Sequence, residues 1–276
     1  MHIEAQPGHM GAIASGVDLS KPVADADCEQ LNSALMTHHL LCIRDQDLAP
    51  PQFAAAARLF GTPQIQFLND YRLEEAQEVT VISNYNKLGG DKPHVRATHW
   101  HSDDSYFAEP GRVTMLLAKA LPSSGGGTHF IDTMAVLDAM PENLRAKIAG
   151  RRAVHKYLSR RNVAKVAIRT PEEEALTPDV SHPLIRTISE TGRQALYINP
   201  NRIDHIEGLD NAQSDALLDE VYAFAFEERF QHRHDWQLGD LVMWDNACTM
   251  HRAGTDFDVT ELREFHRVLL QGRVPQ

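Results

Sequence analysis

The residues best suited to chemistry fall in two polar clusters. The first is WHSDDSY, Trp100 to Tyr106, which sets a histidine and a carboxylate two positions apart. In an extended chain alternate side chains share a face, so a strand here would project His101 and Asp103 together and turn Ser102 and Asp104 away. In a chain with 15 histidines such a pair needs a third member before it implies a metal. The second cluster, GDLVMWDNACTMHR from Gly239 to Arg252, is an apolar strand running into a turn and then His251, the natural third ligand. Two histidines and one carboxylate leave positions open on a cation, which suits non-haem Fe(II) that must also hold a cosubstrate and dioxygen. A zinc hydrolase uses a similar ligand count.

Anion-binding residues accompany this triad. Read as a strand, ELREFHRVL from Glu261 to Leu269 places Arg263, Phe265, Arg267 and Leu269 on one face. Two guanidiniums sharing a face with Phe and Leu are costly to bury without anionic partners. A guanidinium matches a carboxylate in bidentate fashion, so the pair suggests two acid groups, one on a cosubstrate and one on a substrate. The competing reading is an outward pair balanced by Glu261 and Glu264.

The segments WHSDDSYF, LPSSGGGTHFIDT, GDLVMWDNACTMHRA and LREFHRVLLQG resemble the motifs of the iron(II)/2-oxoglutarate dioxygenases related to taurine dioxygenase and 2,4-dichlorophenoxyacetate dioxygenase. The resemblance runs from HHLLCIRDQ to Gly272 and implies a double-stranded β-helix (jelly-roll, cupin-like) core, mainly β, with helices around it. It implies Fe(II) bound by His101, Asp103 and His251, with 2-oxoglutarate as cosubstrate and dioxygen as oxidant. Thr128 and Arg263 match the residues that hold the distal carboxylate of 2-oxoglutarate. Arg267 matches an arginine that binds the substrate's acid group or lies beside the cosubstrate's C1 carboxylate. Asn84 matches a position lining the substrate pocket. The interval from His251 to Arg263 is one residue longer than the family pattern, so GTDFDVTE is expected to hold an insertion. His99 is a competing ligand, disfavoured because only His101 is followed by x-Asp.

The activity so implied is hydroxylation of a small anionic substrate coupled to decarboxylation of 2-oxoglutarate to succinate and CO2. WHSDDSYF resembles the 2,4-dichlorophenoxyacetate branch more than the taurine branch, and Phe67, Tyr106 and Phe107 offer an aromatic-friendly wall. An aryloxyalkanoate cleaved to a phenol and a 2-oxo acid or aldehyde is therefore expected. The alternatives are an alkylsulfonate, an alkyl sulfate or another biosynthetic acid, and, in other classes, a zinc hydrolase or a non-catalytic jelly-roll sensor. Lys87 and His205 are candidate substrate contacts and His94 a candidate lid residue. Trp100, Trp244, Phe130 and Met243 are read as core, and His129, His234 and His266 as structural or surface histidines.

The elements that must position these groups follow from periodicity. Helices are expected at Asp25–His39, Pro51–Phe60, Met134–Ala149 and Asn211–Arg229, and strands at Leu40–Ile43, Val79–Ser83, Val113–Ala118, His129–Asp132, Leu184–Ile188, Ala195–Ile198, Asp240–Trp244 and Phe265–Gln271. Short strands separated by turns such as Ser124-Gly125-Gly126-Gly127, without βαβ alternation, favour a sandwich or barrel carrying helices outside. The 276 residues are read as one domain, 1–276, with a possible lid or excursion at 159–181. A net charge of −11 argues against nucleic acid or an anionic membrane as partner. Three scattered cysteines and no long apolar run suggest a cytoplasmic protein, expected to be a homo-oligomer, dimer or tetramer.

Overall fold

The computed structural model describes residues 1–67, 71–86, 88–90 and 92–276. Two antiparallel sheets face one another and form a jelly-roll core. The larger has nine strands, in the order His2–Ala5, Ala12–Ser15, Leu40–Ile43, Leu241–Asp245, Val113–Ala120, Glu264–Leu270, Ala76–Ser83, Arg72–Leu73, with Pro63–Gln64 also pairing Glu264–Leu270. Among the described residues only the pairing of Ala12–Ser15 with Leu40–Ile43 is parallel. The smaller sheet sets Thr128–Asp132 between Gln231–His234 and Thr249–Ala253.

Alternation of side chains divides the apolar residues between two layers. Leu40, Cys42, Leu116, Ala118, Val242, Trp244 and Phe265 point inward to meet Phe130 of the smaller sheet. Their neighbours Leu41, Ile43, Met115, Leu117, Leu241 and Met243 point outward, where Asp25–His38 and Pro50–Ala57 cover them with Leu31, Leu35 and Phe53. The strands are thus buried on both faces, which is why they read as unbroken apolar runs. On the outer face of the smaller sheet Ile131 and Met250 are covered by Thr133–Ala139, Glu142–Ile148 and Asn211–Ala225.

Three expectations are corrected. The helix expected over Met134–Ala149 is two, Thr133–Ala139 and Glu142–Ile148, because Pro141 has no N–H to continue the first and disfavours helical geometry at Met140. The first of these is capped by Asp132, whose carboxylate accepts from Met134 N at 2.9 Å and Ala135 N at 3.0 Å. The helix expected to reach Arg229 ends at Ala225. WHSDDSY is not a strand: His101 makes one bridge to His251, and a turn follows in which Asp104 adopts φ 55°. Strands at Arg152–His155, Val180–Pro183, Ile203–Ile206 and Gln231–His234 were not anticipated. Among the described residues no helix is long and apolar enough to cross a membrane.

Candidate active site

The turn after His101 brings the triad together by a route other than strand alternation. His101 and His251 exchange backbone hydrogen bonds, N to O at 3.1 and 2.8 Å, which sets their rings 4.2 Å apart between centroids. The turn then folds Asp103 back between them, so that Oδ1 lies 3.8 Å from His101 Nε2 and Oδ2 lies 3.8 Å from His251 Nε2. One ligand atom from each residue lies within 4.8 Å of the others. His101 Nδ1 is 2.8 Å from the His99 carbonyl oxygen, an acceptor only, so Nδ1 carries the proton and the Nε2 lone pair is free.

The carboxylate is oriented from behind. Thr114 donates to Asp103 Oδ2 at 2.6 Å, Asn246 donates to the Thr114 hydroxyl at 2.8 Å, and the Trp244 indole donates to Asn246 Oδ1 at 3.0 Å. Thr114 and Trp244 both sit at inward positions of the larger sheet, so strand register aims this chain. Below the turn, Asn199 donates to Ser102 O and Ser105 Oγ, both at 2.9 Å, and Ser105 also meets His155 Nδ1 at 3.1 Å.

Electrostatics make the donor set fit a divalent cation. Burial raises the Asp103 pKa, but the charges of His251, Arg267 and His101 and the Thr114 hydrogen bond outweigh it and bring the value to about 2. Burial and the neighbouring His101 hold His251 down to about 3, and burial also lowers His101. Two neutral imidazoles beside an ionised carboxylate, with metal-facing nitrogens free of hydrogen bonds to the chain, suit Fe(II). Asp104 is not part of this set. Burial and the Asp103 charge raise its pKa, and it is occupied by Tyr106 Oη at 3.0 Å and Gln64 Nε2 at 3.1 Å.

A cavity of about 350 Å³ opens over the triad, and Thr128 and Arg263 line it as well. Arg263 is 6% exposed, donates from Nε to Gly126 O at 2.8 Å, lies 3.4 Å from Thr128 Oγ1 and rests on the Phe265 ring at 4.5 Å. Among the described residues it has no carboxylate within ion-pair distance, and burial lowers its pKa to about 10. The Thr128 hydroxyl accepts from Trp236 Nε1 at 2.9 Å, which leaves its own proton to donate. This corner is built for an anionic oxygen. Its backbone depends on Gly125, at φ +70°, where a Cβ would lie 1.9 Å from Asp256 O.

The family model described as taurine catabolism dioxygenase TauD, TfdA family matches residues 2–269. The chain belongs to this family. It is 32% identical to the α-ketoglutarate-dependent 2,4-dichlorophenoxyacetate dioxygenase of Cupriavidus pinatubonensis, over 97% of each chain. It is 34% identical to the protein of the same description from a Burkholderia species, over 92% of this chain and 89% of that one. A taurine dioxygenase from Burkholderia xenovorans has a similar structure, with a TM-score of 0.83 and 28% identity over 99% of this chain and 90% of that one.

Other candidate positions are distributed unevenly in this TauD, TfdA family member. Arg267 lines the cavity, with Nη1 4.0 Å from Asp103 Oδ1 and Nε 3.3 Å from Thr80 Oγ1. His94 and His99 line it too. Asn84 lies outside the lining: its Nδ2 donates to the carbonyls of Val259 and Glu261 at 2.7 and 2.8 Å, and its Oδ1 accepts from Arg263 N at 2.9 Å. It pins the long loop GTDFDVTE and fixes the register of Arg263. Phe107 lies one layer out, 4.9 Å from Tyr106 and 5.4 Å from Phe67 between ring centroids. His205 faces Asp204 at 3.0 Å rather than the cavity, and Lys87 lies outside the described residues. Sequence reasoning missed Arg96, Tyr157 and Arg202, all of which line the cavity together with residues 163–167 of the expected 159–181 excursion. Arg96 stands five residues before His101 and could have been suspected from proximity. No local pattern announces the others.

Proposed function

We propose that this iron(II)/2-oxoglutarate-dependent dioxygenase hydroxylates a small organic acid, best represented by an aryloxyalkanoate. The observation that carries this reading is the buried Arg263, without a carboxylate partner among the described residues, beside Thr128 in the same cavity as His101, Asp103 and His251. A zinc hydrolase or a ligand sensor has no need of that combination. His101, Asp103 and His251 would hold Fe(II), and Thr128 and Arg263 the distal carboxylate of 2-oxoglutarate. Bound together, these groups supply oxidising chemistry in which decarboxylation of 2-oxoglutarate to succinate and CO2 accompanies hydroxylation of a substrate C–H bond.

The chain's own residues orient and shield the reaction. Thr114 and Asn246 keep Asp103 ionised and aimed, and the His99 carbonyl holds His101 in the tautomer whose Nε2 can bind metal. Arg267 receives the substrate's acid group at the cavity wall, while Ile82, Leu116 and Val166 offer apolar surface to its carbon frame. Residues 163–167, within the expected 159–181 excursion, line the cavity and would serve as its lid. When hydroxylation falls on a carbon bearing an ether oxygen, the hemiacetal collapses and releases a phenol. With an alkylsulfonate the same collapse releases sulfite, and the likeness to a taurine dioxygenase supports that second reading. We place the enzyme in the cytoplasm as a homo-oligomer.

The test is succinate release with Fe(II), 2-oxoglutarate and oxygen across aryloxyacetates, aryloxypropionates, alkylsulfonates and sulfate esters. Stimulation by aryloxy acids with release of the phenol is expected. Stimulation confined to sulfonates, with sulfite released, would reassign the substrate. Absence of 2-oxoglutarate turnover under every condition would overturn the proposal.

A further inference from the structure

The cavity holds more positive charge than the reaction's own groups require. Besides Arg263 and Arg267 it is lined by Arg96, Arg202 and Lys165, against the carboxylates of Asp103 and Asp104. Arg202 lies over the rings of Tyr106 and Tyr157, 4.9 Å from each centroid, and donates to the Tyr157 carbonyl. Arg96 lies over Tyr71 at 4.8 Å, and the charge of Arg267 is felt there strongly enough to help lower its pKa after burial has done so. Among the described residues neither Arg96 nor Arg202 has a carboxylate within ion-pair distance. Both arginines line the cavity, and neither is neutralised from within the described residues.

On the reading given above, Fe(II) and 2-oxoglutarate carry equal and opposite charge and cancel. Among the described residues that line the cavity four arginines then face two carboxylates, so two positive charges are uncompensated even with Asp104 ionised. A substrate with one acid group at Arg267 would still leave the half-buried Arg96 and Arg202 without a counter-charge among the described residues, and holding a cation unpaired away from water is unfavourable. We infer that the physiological substrate is a small dianion, with one acid group at Arg267 and a second, a carboxylate or an oxyanion of sulfur or phosphorus, held between Arg96 and Arg202. Lys165, exposed at the rim beside His94, adds long-range attraction for such a ligand. The 350 Å³ shared with the cosubstrate restricts the carbon frame to a single ring or a short chain.

The test uses the Fe(II) enzyme saturated with 2-oxoglutarate under anaerobic conditions, titrated calorimetrically with matched acids. Phenoxyacetate is set against 4-carboxyphenoxyacetate, and propanesulfonate against 3-sulfopropanoate. In at least one pair the two-acid member should bind about tenfold or more tightly, the scale of one charge-assisted hydrogen bond. Arg96→Gln and Arg202→Gln should each remove most of that preference, change single-acid binding less than threefold and leave 2-oxoglutarate affinity unaltered, while Arg96→Lys retains part of it. Equal or weaker binding of the two-acid member in both pairs, or a preference that survives both glutamine variants, would overturn the inference. Failure of the underlying site reading shows separately, as absence of 2-oxoglutarate binding before any substrate is added.

Discussion

Replacing Arg263 with methionine separates what this residue does for the cosubstrate from what it does for the fold. Burial pulls the guanidinium down from its ordinary value to about 10, which corresponds to a cost of about 3 kcal/mol for keeping it charged in that place. Its hydrogen bonds to Gly126 O and Thr128 Oγ1 return about 1 kcal/mol each. Methionine has similar length and can lie on Phe265, so Arg263→Met should leave the cosubstrate-free protein unchanged or more stable by about 1 kcal/mol, a rise of roughly 2–4 °C in Tm. The same change removes a charged partner worth about 1.5–3 kcal/mol from 2-oxoglutarate, weakening its binding by roughly 10- to 150-fold. Iron content should not change, because no ligand is removed. The assay is an anaerobic titration of the Fe(II) protein with 2-oxoglutarate, followed by its weak visible charge-transfer band, with thermal melts in parallel. A variant that binds 2-oxoglutarate within threefold of the parent would refute the role of Arg263. A fall of more than 10 °C in Tm without cosubstrate would refute the argument that its charge is held at a cost.

Two further outcomes follow from the site and its support. His101→Ala and Asp103→Ala should each abolish the charge-transfer band and the bound iron, and an unchanged band in both would remove these residues from the ligand set. Acid sensitivity should come from the buried pair His155 and His182, whose rings lie 5.1 Å apart beneath the metal-binding turn. Burial lowers both pKa values, that of His182 to about 4, so the neutral forms favour the folded state. Their contribution is complete above pH 6.5 and is lost as pH falls from there toward 4. Tm measured against pH should decline across that window, less steeply in His182→Gln, and parallel profiles for variant and parent would contradict the assignment.

Much of the fold was legible because its signals are local. Alternation and apolar runs located Leu40–Ile43, Val113–Ala120, Leu241–Asp245 and Glu264–Leu270, the central strands of the larger sheet. Strands such as Arg152–His155 and Gln231–His234 were missed because charged and histidine side chains hide their pattern, and their pairing is fixed by distant partners. At the site the sequence singled out His101, Asp103 and His251, which the fold does bring together, for an instructive reason. The His-x-Asp spacing drew attention through an assumed strand, whereas the turn at Asp103–Tyr106 does the work of convergence.

The sequence by itself therefore determined the candidate donor set, the presence of two arginines four positions apart and the family of motifs, since these depend on residue identity and short spacing. Only the tertiary structure decided which atoms meet. It placed Thr114, eleven positions from Asp103, behind that carboxylate, and set Asn84 against the loop before Arg263 instead of in the cavity. It also brought Arg96 and Arg202 to the lining of one cavity. Contacts between residues a hundred positions apart leave no periodic trace in the chain, because they are made by sheet closure and by the burial that accompanies it.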